Sequence, residues 1–229
     1  SEMKVTYYGH SCIGIEIAGK HLLVDPFITP NSAAAEIEVD QVPADYVLLT
    51  HGHEDHVADA ESILKRSGAT LISNFEIANW YQAKGIEKTH PLNHGGTAIL
   101  PFARIKFVNA VHSSVLPDGS YGGNPGGFVI ESEEGNAYLS GDTALHYDMK
   151  LLGEFHQLDW AALCIGDSFT MGAEDAAIAA QWAGVKQVLG LHYDTFPPIE
   201  IDHMAAKAAF TSRGATLRLP RIGETINLG

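Results

Sequence analysis

The chain has 229 residues, 45% of them hydrophobic and 18% charged. That is the make-up of a globular protein with a sizeable core, and it excludes a disordered or fibrous chain. Acidic residues outnumber basic ones 28 to 14, for a formal net charge of −14. Polyanion-binding surfaces need clustered Lys and Arg, so nucleic acid and membrane surfaces are poor partners.

The first quarter reads as strands: KVTYYG (4–9), CIGIEIAG (12–19) and HLLVDPF (21–27) are rich in β-branched and aromatic residues, with a turn at Gly19-Lys20. The apolar run ADYVLLTH (44–51) leads into THGHEDHV (50–57), which packs His51, His53, Asp55 and His56 into six residues. A helix is expected over 58–67 up to Gly68, a strand at TLISN, and a helix over 75–85 closed by Gly85. RIKFVNAVH (104–112) is the next strand, GGFVIES and NAYLSGD form a hairpin, and DWAALCIG (159–166) is a buried strand. An Ala-rich helix ends at Gly184, KQVLGLH (186–192) is a strand, a helix starts at the N-cap Asp202, and TLRL and ETINL close the sheet. This β-α-β-α rhythm points to an α/β sandwich, and no linker or low-complexity tract interrupts it, so one domain over 1–229 is expected. The longest apolar runs are too short to cross a bilayer. No basic segment followed by an apolar one opens the chain, and Cys12 and Cys164 read as buried reduced thiols. A cytoplasmic protein is therefore expected.

His51, His112, Asp142 and His192 all fall at predicted strand ends, and α/β sheets gather ligand sites where strands run out. On a helix, positions 51, 53, 55 and 56 would spread round more than half the circumference at about 100° per residue. A strand end curling into a loop, eased by Gly52, instead suits two adjacent cations. Neutral imidazoles favour zinc, and carboxylates accommodate zinc, manganese or iron. Each ion needs three or four ligands, so candidates beyond the cluster are His112 in AVHSS, Asp142 in SGDT and His192 in GLHYDTFP, with Asp142 suited to bridge.

The HxHxDH motif, followed by His, Asp and His at later strand ends, resembles the metallo-β-lactamase fold superfamily. YYGHSC, VDPF, HSS, SGDT, IGDSFTMG and HYDTFP, in this order, are similar to the UPF0173 metal-dependent hydrolases, a group related to ascorbate-6-phosphate lactonase. The resemblance implies a four-layer αβ/βα sandwich with the site on one edge between the sheets. Carried over by position, His51, His53 and His112 hold one divalent ion and Asp55, His56 and His192 a second, with Asp142 bridging. Zinc is the first expectation, and manganese, nickel or iron the alternatives. The expected chemistry is a hydrolase whose metal-bridging hydroxide attacks a small-molecule ester, lactone, amide or phosphodiester. Asp55 anchors the nucleophile, and His10 is a further catalytic candidate at the mouth.

Among weaker candidates, Asp25 is suited to orient a ligand histidine, and Asp167, Thr170 and Thr195 to contact substrate or pin loops. His90, His94, His146, His156 and His203 read as surface or core residues. No Lys or Arg occurs in 21–64, 107–149 or 187–206, which favours a neutral or weakly anionic substrate over a phosphorylated one. The rivals are a diiron redox enzyme of the same fold and a non-catalytic metal-binding module. The redox reading expects a carboxylate in place of a motif histidine, and His53 is intact. Loops near Pro101-Phe102 and the FPPI segment are candidate surfaces for a homo-oligomer.

Overall fold

The computed structural model describes residues 3–229; Ser1 and Glu2 lie outside the described residues. Strands β1 (Met3–Tyr7), β2 (Ile13–Ile17) and β3 (Lys20–Val24) form an antiparallel meander, and β14 (Thr225–Leu228) returns to pair with β1. Strands β4 (Tyr46–Leu48), β5 (Thr70–Asn74) and β6 (Thr89–Leu92) continue from β3 in parallel, giving a sheet ordered β14-β1-β2-β3-β4-β5-β6. The second sheet repeats the plan. Strands β7 (Thr97–Ile99), β8 (Arg104–Asn109), β9 (Gly126–Ser132) and β10 (Gly135–Leu139) are antiparallel; β11 (Trp160–Cys164), β12 (Gln187–Leu191) and β13 (Thr216–Arg218) then follow in parallel.

The sheets pack face to face through side chains such as Ile15, Leu22 and Ile72 from the first and Phe107, Phe128 and Ile130 from the second. Outside the first sheet, α2 (Ala60–Ser67) and α3 (Phe75–Gln82) press Ile63, Leu64, Ile77 and Tyr81 onto Leu23, Val47 and Leu71. Outside the second lie α4 (Asp148–Phe155), α5 (Ala173–Ala183) and α6 (His203–Thr211). The alanines of α5 bring it close to β11, where larger side chains would hold it off. The result is the four-layer sandwich. Trp160, Tyr81, Phe107 and Phe128 are fully buried, each worth roughly 1.5–3 kcal/mol in transfer terms. Both cysteines are free and buried. Among the described residues no helix is long and apolar enough to cross a membrane.

Several elements differ from expectation. The helix expected over 58–67 is broken at Asp59, whose carboxylate turns inward to accept the N–H groups of Ile28 (2.6 Å) and Thr29 (2.9 Å); one-turn α1 (Glu54–Val57) precedes the break. The third helix stops at Gln82, ahead of Gly85. β6, β7 and α4 were not expected: β6 carries Pro91 and β7 has three residues, too few for an alternation to register. Three of the expected strand-end ligands lie three residues beyond their strands: His51 after Leu48, His112 after Asn109 and Asp142 after Leu139, while His192 directly follows Leu191. Strands β8, β10 and β12 run in one direction, so their loops share one edge.

Candidate metal centre

The histidine motif is split between two conformations. His51 and His53 sit on extended backbone leaving β4, and Asp55 and His56 fall in the helical turn α1, for which His53 is the N-cap. Gly52 matters for a reason other than the turn. A Cβ there would lie 2.9 Å from the Val115 carbonyl oxygen, so glycine lets the loop after β8 close over the motif. Ser114 Oγ locks that approach by accepting the Gly52 N–H at 3.0 Å.

All seven residues carried over as ligands meet at this edge. Single ligand atoms from His51, His53 and His112 lie within 4.8 Å of one another, and so do those from Asp55, His56 and His192, with His10 beside them. Asp142 stands between the groups: its Oδ2 is 3.6 Å from Nε2 of His51 and of His112, 2.9 Å from Nε2 of His56 and 3.1 Å from Nε2 of His192. Yet His51 Nε2, His56 Nε2 and Asp142 Oδ1 are buried without a hydrogen-bond partner. Orphaned buried polar atoms are rare. Imidazole nitrogens and carboxylate oxygens converging on one point, several of them left without a partner, are a donor set for divalent cations.

Asp25 supports both groups. Its Oδ2 accepts His56 Nδ1–H (2.7 Å) and the Thr50 hydroxyl (2.6 Å), and its Oδ1 accepts the Thr50 N–H (2.9 Å). Thr50 Oγ1 in turn lies 2.9 Å from His51 Nδ1. One buried carboxylate thus fixes His56 directly and His51 through a hydroxyl, turning each Nε2 into the site. The part of Asp25 was foreseen from the sequence; that of Thr50 was not, because a threonine ending an apolar run carries no mark of its use.

Electrostatics divide the cluster. Burial pushes the His51, His53 and His112 imidazoles below their ordinary value. Burial would do the same to His56 and His192, but Asp142 and its neighbouring carboxylates outweigh it; His56 is held well above its usual value and His192 is raised to about 9. Burial opposes ionisation of Asp55 and Asp142, yet His56 and the surrounding imidazoles keep both carboxyls well below the usual range.

The remaining candidates fall elsewhere. His10, expected at the mouth, is only 1% exposed, with both ring nitrogens engaged and burial lowering its pKa to about 4. Asp167 accepts the Ser168 N–H and Thr170 bonds the Met171 carbonyl, so both pin the loop after β11. His90, His94, His146, His156 and His203 are not among the groups that meet at the site. Positive φ angles at His10 (55°), Asp25 (46°), His192 (60°) and Asp194 (61°) gather around the cluster. Such backbone persists only where its surroundings over-determine it.

Residues 4–192 match the family model of the β-lactamase superfamily domain. The chain belongs to the metallo-β-lactamase superfamily. Within it, a UPF0173 metal-dependent hydrolase of Christiangramia forsetii is 52% identical over 99% of this chain and 100% of that protein. The UPF0173 metal-dependent hydrolase YtkL of Bacillus subtilis is 44% identical over 99% and 100%. Igni18, a metallo hydrolase from the archaeon Ignicoccus hospitalis, superposes with a TM-score of 0.89 at 35% identity, covering 99% of this chain and 98% of that one. The chain is thus a UPF0173 metal-dependent hydrolase.

Proposed function

We propose that this UPF0173 hydrolase holds two divalent ions, zinc first and manganese, nickel or iron as alternatives, and hydrolyses a small uncharged ester, lactone or amide. The observation that carries the reading is that the Asp142 Oδ2 contacts two imidazoles of each group, between 2.9 and 3.6 Å. His51, His53 and His112 hold one ion, Asp55, His56 and His192 the other, and Asp142 is shared. Bound together, such ions bring the pKa of a shared water towards 7 and polarise the carbonyl or phosphoryl oxygen under attack. Asp55 supplies orientation: its ionised carboxylate directs Oδ2 at His10, His56 and His192, leaving Oδ1 to accept a hydrogen bond from the attacking water. Neither thiol competes as nucleophile, because burial raises Cys164 to about 11 and Cys12 further.

The rim supports the choice of substrate. Phe196 is 39% exposed and its ring centre lies 5.4 Å from that of His10; Val111 and Phe169, on loops at the same edge, are 50% and 60% exposed. The stretches bearing His112, Asp142 and His192 contain no Lys or Arg to neutralise a phosphate, which puts phosphodiesters behind neutral esters. Phe196→Ala is expected to raise KM for an ester with an apolar arm about tenfold at constant kcat, for a loss of about 1.4 kcal/mol of burial. A fall in kcat alone would instead tie Phe196 to the transition state.

Loading should depend on pH unequally. Without metal, the carboxylates around His56 and His192 favour their protonated forms at neutral pH, whereas burial favours neutral His51, His53 and His112. A cation entering the Asp55 half should therefore displace more protons than one entering the three-histidine half. Affinity at the Asp55 half should rise with pH up to about 9 and be lost first as pH falls. Titrations in buffers of different ionisation enthalpy read the proton release; equal release at both steps would contradict the division.

The reading as a whole is tested by metal content, measured by mass spectrometry on protein purified without chelators or metal-affinity steps, followed by a panel of esters, lactones, amides and phosphodiesters. About two equivalents of zinc, manganese or nickel with ester or lactone turnover is expected. A single equivalent, or inertness of the fully loaded protein, would overturn it, and predominant iron without ester or lactone turnover would favour the diiron redox reading instead.

A further inference from the structure

We infer that His10 and Thr195 form a clasp between the two sheets that holds Asp55 in place and so sets the affinity of one metal half-site; the inference rests on the binuclear reading above. His10 lies in the turn between β1 and β2, Asp55 on α1, and Thr195 on the loop after β12. His10 Nε2 is 2.8 Å from Asp55 Oδ2, and His10 Nδ1 is 2.6 Å from Thr195 Oγ1. A carboxylate only accepts, so the ring proton facing Asp55 sits on Nε2. With that tautomer Nδ1 is an acceptor, so the single proton of the Thr195 hydroxyl goes to Nδ1 at 2.6 Å in preference to the Tyr193 carbonyl at 3.2 Å. The backbone of His10 grips the opposite sheet as well, its carbonyl accepting the His192 N–H at 3.0 Å.

One residue thereby reaches both sides of the same half-site, Asp55 through its ring and His192 through its carbonyl. The ring is wedged so that it cannot turn: its centre lies 4.3 Å from that of His192, 5.7 Å from His56 and 5.4 Å from both Phe27 and Phe196. His10 and His192 both pay the left-handed backbone penalty, with φ of 55° and 60°. His10 Nε2 also lies within 4.8 Å of the ligand atoms of Asp55, His56 and His192, which raises the question of direct coordination. With Asp142 shared, four protein ligands would already be available to an ion there, and a fifth would compete with the water that hydrolysis needs. A nitrogen that donates its proton to Asp55 has no lone pair to offer. His10 is a positioning residue, and Thr195 fixes its tautomer.

The test is a cobalt(II) titration of chelator-stripped protein, followed by visible absorption, for the wild type, Thr195→Val, Thr195→Ser and His10→Leu. Supporting groups behind metal ligands are typically worth about 10- to 100-fold in affinity. His10→Leu should weaken one of the two binding steps within that range, Thr195→Val should weaken the same step towards the lower end, and the other step should stay at wild-type affinity. Thr195→Ser keeps the hydroxyl and should restore the weakened step. Thr195→Val leaves the strained turn untouched, so it carries the test if His10→Leu does not fold. Wild-type affinity at both steps in Thr195→Val, or equal weakening of both steps, overturns the clasp. Wild-type protein that takes up only one equivalent overturns the binuclear reading itself, a different and separately visible result.

Discussion

Asp142→Ala protein is expected to retain no more than one equivalent of metal and to lose at least about a thousandfold in kcat/KM. Asp142 is 3% exposed, and its Oδ2 faces the Nε2 atoms of four histidines. Removing it takes away the shared ligand and a negative charge that offsets the two cations. Losing that charge stabilisation costs several kcal/mol, and each 1.36 kcal/mol is a factor of ten in rate. Asp142→Asn separates the contributions, because its amide oxygen still accepts but carries no charge. Mass spectrometry and initial rates on the same preparations decide the matter. Two metals and undiminished activity in Asp142→Ala would show that this carboxylate is not shared.

Asp25→Ala should be the most damaging change that touches neither metal nor substrate. It strips acceptors from three buried donors at once, the Thr50 N–H, the Thr50 hydroxyl and His56 Nδ1. Each buried donor left unpaired costs about 1–3 kcal/mol. Burial raises the Asp25 carboxyl, so its removal also relieves some desolvation, and the net loss should be about 3 kcal/mol. Denaturant unfolding of metal-stripped protein measures this cost apart from any ligand. In the loaded protein both binding steps should weaken, because His56 and, through Thr50, His51 lose their orientation. Asp25→Asn keeps one acceptor and suits the backbone φ of 46°, so it should fall between. An unchanged unfolding midpoint would mean that another group takes over these donors.

The candidate site was largely legible in the chain because its donor residues are concentrated by type and spacing: three histidines and an aspartate in six residues, then His112, Asp142 and His192 each just past an apolar run. The long strands and α5 were legible through alternation and composition. What stayed hidden depends on contacts between distant segments. Nothing in YYGHSC states that His10 is buried against Asp55, and nothing in VLLTH marks Thr50 as the link between Asp25 and His51. The break at Asp59 is similar, a local helix signal overridden by the N–H groups of Ile28 and Thr29. β6 and β7 are too short, and β6 too interrupted by Pro91, for a local signal to exist.

Each group of candidate ligands draws on both sheets. His51 and His53 follow β4 of the first, and His112 follows β8 of the second; Asp55 and His56 belong to the first, and His192 to the second. Under the proposed assignment every ion is a rivet through the sandwich, so metal affinity and sheet-to-sheet cohesion are one thermodynamic quantity. A chelator would then loosen the seam between the layers as well as silence the enzyme, and heat resistance would follow metal supply. In the growing chain no rivet can be set until strands far apart in synthesis have met, which makes competence for hydrolysis a report that the whole sandwich has closed.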